Sequence, residues 1–237
     1  MSDLPSSLEE TIDQAIASTK AAIQDGVTRL QVEMVIPELK QQPIAERFLS
    51  LFEDLGLQFK VLFPDAGAAA LAKRDWDNPD FIIRGINEIQ TLVEPDDEAI
   101  LVVNPSAVEV QDVEKLCNEA QDRPVILLNP NLEDVSIVGI GYAARQLRER
   151  FLSTLTSCYY YRPVENAAVL RRHPDGWQVW QDVGAQYELQ AELPERPSSE
   201  ALEKILYGDE EAENSNTPKP KKSLLGEVQK FLRALSQ

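Results

Sequence analysis

Two cysteines and one histidine are all this chain has of the residue types that dominate metal centres and nucleophilic catalysis. Cys117 and Cys158 lack C-x-x-C spacing, so neither a zinc site nor a disulfide framework follows. Cys117 falls on the stripe Val113, Leu116, Cys117, Ala120 and reads as a small core residue. His173 lies in a His-Pro-Asp-Gly turn, whereas a triad base must be buried beside its nucleophile. It reads as a surface turn residue. Cations are scarce as well. Lys and Arg number 23 against 40 Asp and Glu, a net charge of −17, which argues against a nucleic-acid partner. No apolar run approaches the ~18 residues of a membrane span, and no leader pattern opens the chain, so a cytoplasmic location is expected. There is no G-x-x-x-x-G-K-[ST], hence no P-loop. Asp75–Asp80 resembles a calcium loop but lacks its glycine and distal glutamate, so it reads as a solvated loop. No catalytic residue, metal ligand or cofactor is assigned.

What is present is a frame. Ile100–Val103 and Val125–Leu128 are short β-branched and leucine-rich runs, each followed by Asn-Pro, with a helically spaced segment between them. That is the pattern of a βαβ unit with buried parallel strands, and Val102 and Leu127 are expected on neighbours. Upstream, Pro5–Glu10 starts a helix, with Ser6 or Ser7 as cap and Asp25-Gly26 as stop. Arg29–Ile36 reads as a strand, Pro43–Leu55 as a helix stopped by Gly56, and Phe81–Ile86 as a weaker strand. Leu57–Phe63 alternates, so a half-exposed strand with Lys60 on its wet face is expected. Downstream, Val135–Val138 is a short apolar run and Ala143–Leu152 a helix. The period then falls to two in Cys158–Arg162, Ala167–Arg171, Trp177–Val183 and Gln186–Leu193, an antiparallel meander in which Gly176 suits a positive φ. Ser198–Tyr207 is one more helix. The expected architecture is α/β: a Rossmann-like three-layer sandwich with a mostly parallel sheet, a C-terminal antiparallel meander and a tethered terminal helix.

Ligands of open α/β sheets lie beyond the C-terminal ends of the strands. Here those ends carry Asp65, Asn104 and Asn129, each beside a proline, either as ligand contacts or as caps of the following helices. Gly139-Ile140-Gly141-Tyr142-Ala143-Ala144 matches G-x-G-x-x-A ahead of a helix, and Arg145 adds charge for a phosphate. It lies late in the chain, however, and Tyr159–Tyr161 holds no acidic ribose partner.

Gly208–Lys222 is polar and proline-containing, a flexible linker between a domain at 1–207 and an amphipathic helix at 223–237. Leu224, Leu225, Val228, Phe231, Leu232 and Leu235 form one stripe, flanked by Lys230 and Arg233. Residues 219–237 hold five basic residues and one acidic residue, a net of +4, so the other 218 residues carry −21 of the total −17. Such asymmetry marks a segment with its own partner: the acidic body, a client protein or an anionic membrane.

The blocks LPSSLEETIDQAIAS, GVTRLQVEMVIPEL, VLFPDAGAAALAKR and GIGYAARQLRERFLSTLTSCYYYRP, together with the Asn-Pro strand ends, resemble one family across about Leu4–Tyr207. It is DUF1995, found in cyanobacteria and chloroplasts, whose plant members include the third low-photosystem-II-accumulation protein. The lack of a transit peptide points to a cyanobacterial member. The resemblance implies a non-catalytic accessory role in photosystem II biogenesis, with a photosystem II subunit or assembly factor as partner and peripheral contact with the thylakoid membrane. A related domain follows a chloroplast adenylate kinase, which keeps an alternative open: a domain, or an enzyme, that binds a nucleotide or small phosphorylated metabolite.

Overall fold

The computed structural model describes residues 4–88, 92–133, 142–184 and 186–208, with the backbone alone at Ala143. Helix α1 (Leu8–Gln24) starts where Ser7 accepts the Glu10 N–H at 3.1 Å, while the Glu10 carboxylate accepts the Ser6 N–H and hydroxyl. Strand β1 (Arg29–Met34) follows the left-handed Gly26. Helix α2 (Gln41–Leu55) ends at Gly56, φ 66°, with Leu57 N–H donating to the Phe52 carbonyl as a glycine cap requires. Strand β2 (Phe59–Phe63) leads to α3 (Ala66–Asp75), strand β3 (Ile82–Gly85), strand β4 (Ala99–Val103), α4 (Val110–Ala120) and β5 (Val125–Leu128). Then come α5 (Tyr142–Arg150), β6 (Thr156–Val164), β7 (Ala167–Arg172), β8 (Trp177–Asp182), β9 (Tyr187–Leu193) and α6 (Ser199–Tyr207).

All nine strands form one sheet in the order β3-β2-β4-β5-β1-β6-β7-β8-β9. The first six in that row are parallel; β7, β8 and β9 continue it antiparallel, as a meander should. Val102 pairs with Leu127 on adjacent, fully buried strands. On one face α1, α2 and α3 cover Leu30, Val32, Val61, Leu101 and Ile126. On the other, α4 and α5 cover Leu62, Ile100, Val102, Val125 and Leu127. Steps toward β3 in that row (β1 to β2, β2 to β3) cross the first face through α2 and α3, and the step from β4 to β5 in the other direction crosses the second face through α4, so these connections share one hand, as parallel connections do. The linker expected beyond Gly208 and the helix expected at 223–237 lie outside the described residues, as does the apolar run Val135–Val138.

Three expectations change. Lys60 is not on a wet face: it is 1% exposed, because the acidic turn before β4 folds over it. Its ammonium meets the Asp97 carboxylate at 2.5 Å, and Asp97 also accepts the Glu94 N–H at 2.6 Å. Alternation misled because a parallel strand in the sheet interior is covered on both faces. Gly176 has no positive φ; a Cβ there would sit 2.8 Å from the Leu193 carbonyl oxygen, so its role is close approach of β9. His173 is no free turn tip. Its side chain is 14% exposed and its Nε2 lies 2.7 Å from the Asp25 carboxylate at the end of α1.

The buried pair gives a test. Asp97→Ala leaves an uncompensated ammonium and should cost about 3–5 kcal/mol in urea melts, whereas Lys60→Met/Asp97→Leu should recover most of that loss. A small effect of the single change would place the Lys60 ammonium in solvent.

Candidate functional site

The crest formed by the C-terminal ends of β2, β4 and β5 brings Asp65, Asn104 and Asn129 to one edge on adjacent strands. Strand β2 sends α3 to the first face and β4 sends α4 to the second, so a topological switch point lies between Asp65 and Asn104. Geometry thus places these residues where an open α/β sheet binds ligands.

Two of these three side chains, Asp65 and Asn129, are already committed to the chain itself. Asp65 caps α3, accepting the Ala68 N–H at 2.9 Å. Asn104 and Asn129 cap no helix. Each adopts the left-handed conformation, φ 50° and 47°, that asparagine tolerates better than most residues, and each turns the chain out of the sheet before a proline. Asn104 N–H donates to the Leu128 carbonyl and Asn129 N–H to the Val32 carbonyl, both at 2.7 Å. The Asn129 side chain then locks three elements: its Oδ1 accepts the Met34 N–H at 2.7 Å and its Nδ2 donates to Gln41 Oε1 at 2.7 Å. The loops after β4 and β5 are joined to each other, Asn131 N–H donating to the Pro105 carbonyl at 2.8 Å. On the β3 side, a Cβ at Gly85 would lie 2.8 Å from the Ala66 nitrogen, so β3 abuts the start of α3. The crest is sewn together by its own chain.

Gly139 and Gly141 lie outside the described residues. Arg145 is exposed on the first turn of α5. The segments holding Leu224, Leu225, Val228, Lys230, Phe231, Leu232, Arg233 and Leu235 also lie outside them. Among the described residues no group of His, Cys, Asp and Glu is arranged to hold a metal ion, and no helix is long and apolar enough to cross a membrane. Both thiols are buried, and desolvation pushes each to about 11. A cleft of about 420 Å³ opens at the opposite edge, where Phe52 stacks on Phe59 at 4.5 Å beside Phe81, with Glu53 and Asp80 at its rim.

Sequence reasoning missed one constellation. Glu33, Tyr160, Arg171 and Trp177 stand opposite one another across four strands. No motif links positions so far apart, and the available signal was the polar alternation Arg29, Gln31, Glu33 on β1, the strand central to the sheet.

Fold and crest define a doubly wound α/β domain extended by an antiparallel meander. The chain belongs to the family described as domain of unknown function DUF1995, whose model matches residues 5–204.

If Asn129 is a structural clamp, Asn129→Gly keeps the left-handed turn but loses two side-chain bonds, one to a backbone amide. It should cost roughly 1–3 kcal/mol. Asn104→Gly should stay within about 1 kcal/mol of the parent, since only its φ is demanding. Urea melts of the two variants separate the roles. The native thiols should resist iodoacetamide at pH 8 and react fully on unfolding, since the thiolate is the nucleophile.

Proposed function

We propose that this domain is a non-catalytic binding module, an accessory factor in photosystem II biogenesis that engages a photosystem II subunit or assembly factor. The observation that carries the non-catalytic part is the state of the crest: Asp65 and the Asn129 amide are spent on the protein's own backbone and on Gln41. Further support comes from the two desolvated thiols and from a lone imidazole held by Asp25. Neither has the exposed, activated setting that nucleophilic or general-base chemistry needs. The photosystem assignment rests on family resemblance. Peripheral membrane contact rests on the apolar stripe and +4 charge of the C-terminal segment.

Capture from detergent-solubilised thylakoids by the full chain should enrich photosystem II subunits or their assembly factors, and a deletion strain should accumulate less photosystem II. Normal photosystem II levels with no such capture would overturn the reading. The membrane part is separable: the full chain should float weakly with anionic vesicles, less so at high salt, and Phe231→Asp/Leu232→Asp should abolish it. Equal flotation of parent and variant would remove that part alone.

A further inference from the structure

On the same face as α4 and α5, but beyond them and beside Leu202 of α6, the sheet carries a cross-strand row: Glu33 opposite Tyr160, Tyr160 opposite Arg171, Arg171 opposite Trp177. The Tyr160 and Trp177 rings are 5.0 Å apart, tilted by 58°. Arg196, from the segment between β9 and α6, lies over both, its guanidinium carbon 4.3 Å from the Tyr160 centroid and 5.7 Å from that of Trp177. It donates to the Tyr160 hydroxyl at 2.9 Å and approaches the Glu33 carboxylate at 3.3 Å. Burial pushes the Glu33 carboxyl up, and the Arg196 charge opposes that shift. Arg196 is therefore accounted for.

Arg171 is not. Its guanidinium carbon stands 5.5 Å over the Trp177 ring, its Nε is buried with no hydrogen-bond partner, and no carboxylate pairs with it among the described residues. One strand over, Ser157 pairs with Gln31 and so shares the Glu33 face, Val32 pointing to the other side. The Ser157 Oγ is also buried without a partner. Native proteins leave few such groups, Trp76 Nε1 being the third here, and each needs an explanation, of which an ordered water or a bound group is one. Shortage of acid is no explanation where carboxylates number 40. Exposed Arg162 adds a further cation on β6 to the same face, two residues along from Tyr160. An arginine whose Nε–H is open offers, with the neighbouring Nη–H, a side-on fork that matches two oxygens of one anionic group.

We propose that Arg171 and Ser157, walled by Trp177 and Tyr160, form a binding site for the anionic oxygen group of a small molecule, a carboxylate or a phosphate monoester. The site lies on the sheet face, away from the crest, and is independent of the assembly role.

The test is thermal unfolding of the full chain titrated with inorganic phosphate or benzoate, against sodium chloride at equal ionic strength. At ten times the dissociation constant the melting temperature should rise by about 3–6 °C. A response to phosphate alone or to benzoate alone assigns the chemistry. Arg171→Lys keeps the charge but loses the fork and should weaken the affinity about tenfold or more, Ser157→Ala should weaken it severalfold, and Arg74→Gln on the other face should not change it. No rise beyond the chloride control, or equal affinity in Arg171→Lys and the parent, would overturn the proposal and leave water as the partner of the buried Nε.

Discussion

Everything in this fold hangs on β1 being hydrogen-bonded in parallel to β5 on one side and β6 on the other. It joins a doubly wound half to an antiparallel half. Its register with β5 is regular, Arg29 through Val32 against Val125 through Leu128. Its register with β6 shifts between Gln31 and Val32, where Cys158 is the extra residue. The shift keeps Cys158 and Tyr159 both in the first-face core, under α1, where Thr19 lies 3.6 Å from the Cys158 sulfur. It also returns Tyr160 to the second face. A bulge at the junction of two sheet regimes re-aims side chains at little cost to the ladder.

A strongly acidic protein must place its few cations with care. Lys60 is buried against Asp97, offsetting one of the four carboxylates in a turn that also holds Glu94, Asp96 and Glu98. Arg29 donates to the carbonyls of Cys117, Gln121, Thr28 and Arg123, meeting acceptors that the end of α4 leaves open. Arg148 and Arg150 each fork onto a carboxylate, Glu133 and Glu114, tying α5 to the loop after β5 and to α4. These contacts are structural: each links two elements and uses the guanidinium or ammonium completely enough to need nothing else.

Local chemistry made much of this readable from the chain. Ser7, Asp65 and Ser198 cap their helices, Gly26 and Gly56 turn left-handed, and β5 spans the predicted residues. These signals act within four or five residues. Lys60 was misplaced because its partner is 37 positions away in a turn that no periodicity describes. The crest could be located from topology, but whether its asparagines were free could not be, since Asn129 spends its amide on Met34 and Gln41, 95 and 88 residues distant. Register rows across four strands are non-local in the same sense, so Glu33, Tyr160, Arg171 and Trp177 had no shared signal.

Conflicts between local rules and the finished fold separate into two kinds. The buried ammonium of Lys60 is one kind, because Asp97 resolves it inside the chain. Left-handed Asn104 and Asn129 are the same kind, resolved by side-chain chemistry that tolerates the conformation and, for Asn129, by bonds that use it. The polar face of β1 and the row beyond it belong to the second. A central parallel strand is normally apolar on both faces. Here Leu30, Val32 and Met34 alternate with half-buried Arg29, Gln31 and Glu33. Arg29 closes α4 and Glu33 holds Arg196, which leaves Ser157 opposite Gln31 and Arg171 in the Glu33 row with buried polar atoms unmatched. Core packing alone would favour apolar residues at these positions, since an unmatched buried donor costs about 1–3 kcal/mol. Polar groups held there are therefore matched by something other than the chain's own side chains, and water and a bound anion are the two partners their chemistry accepts.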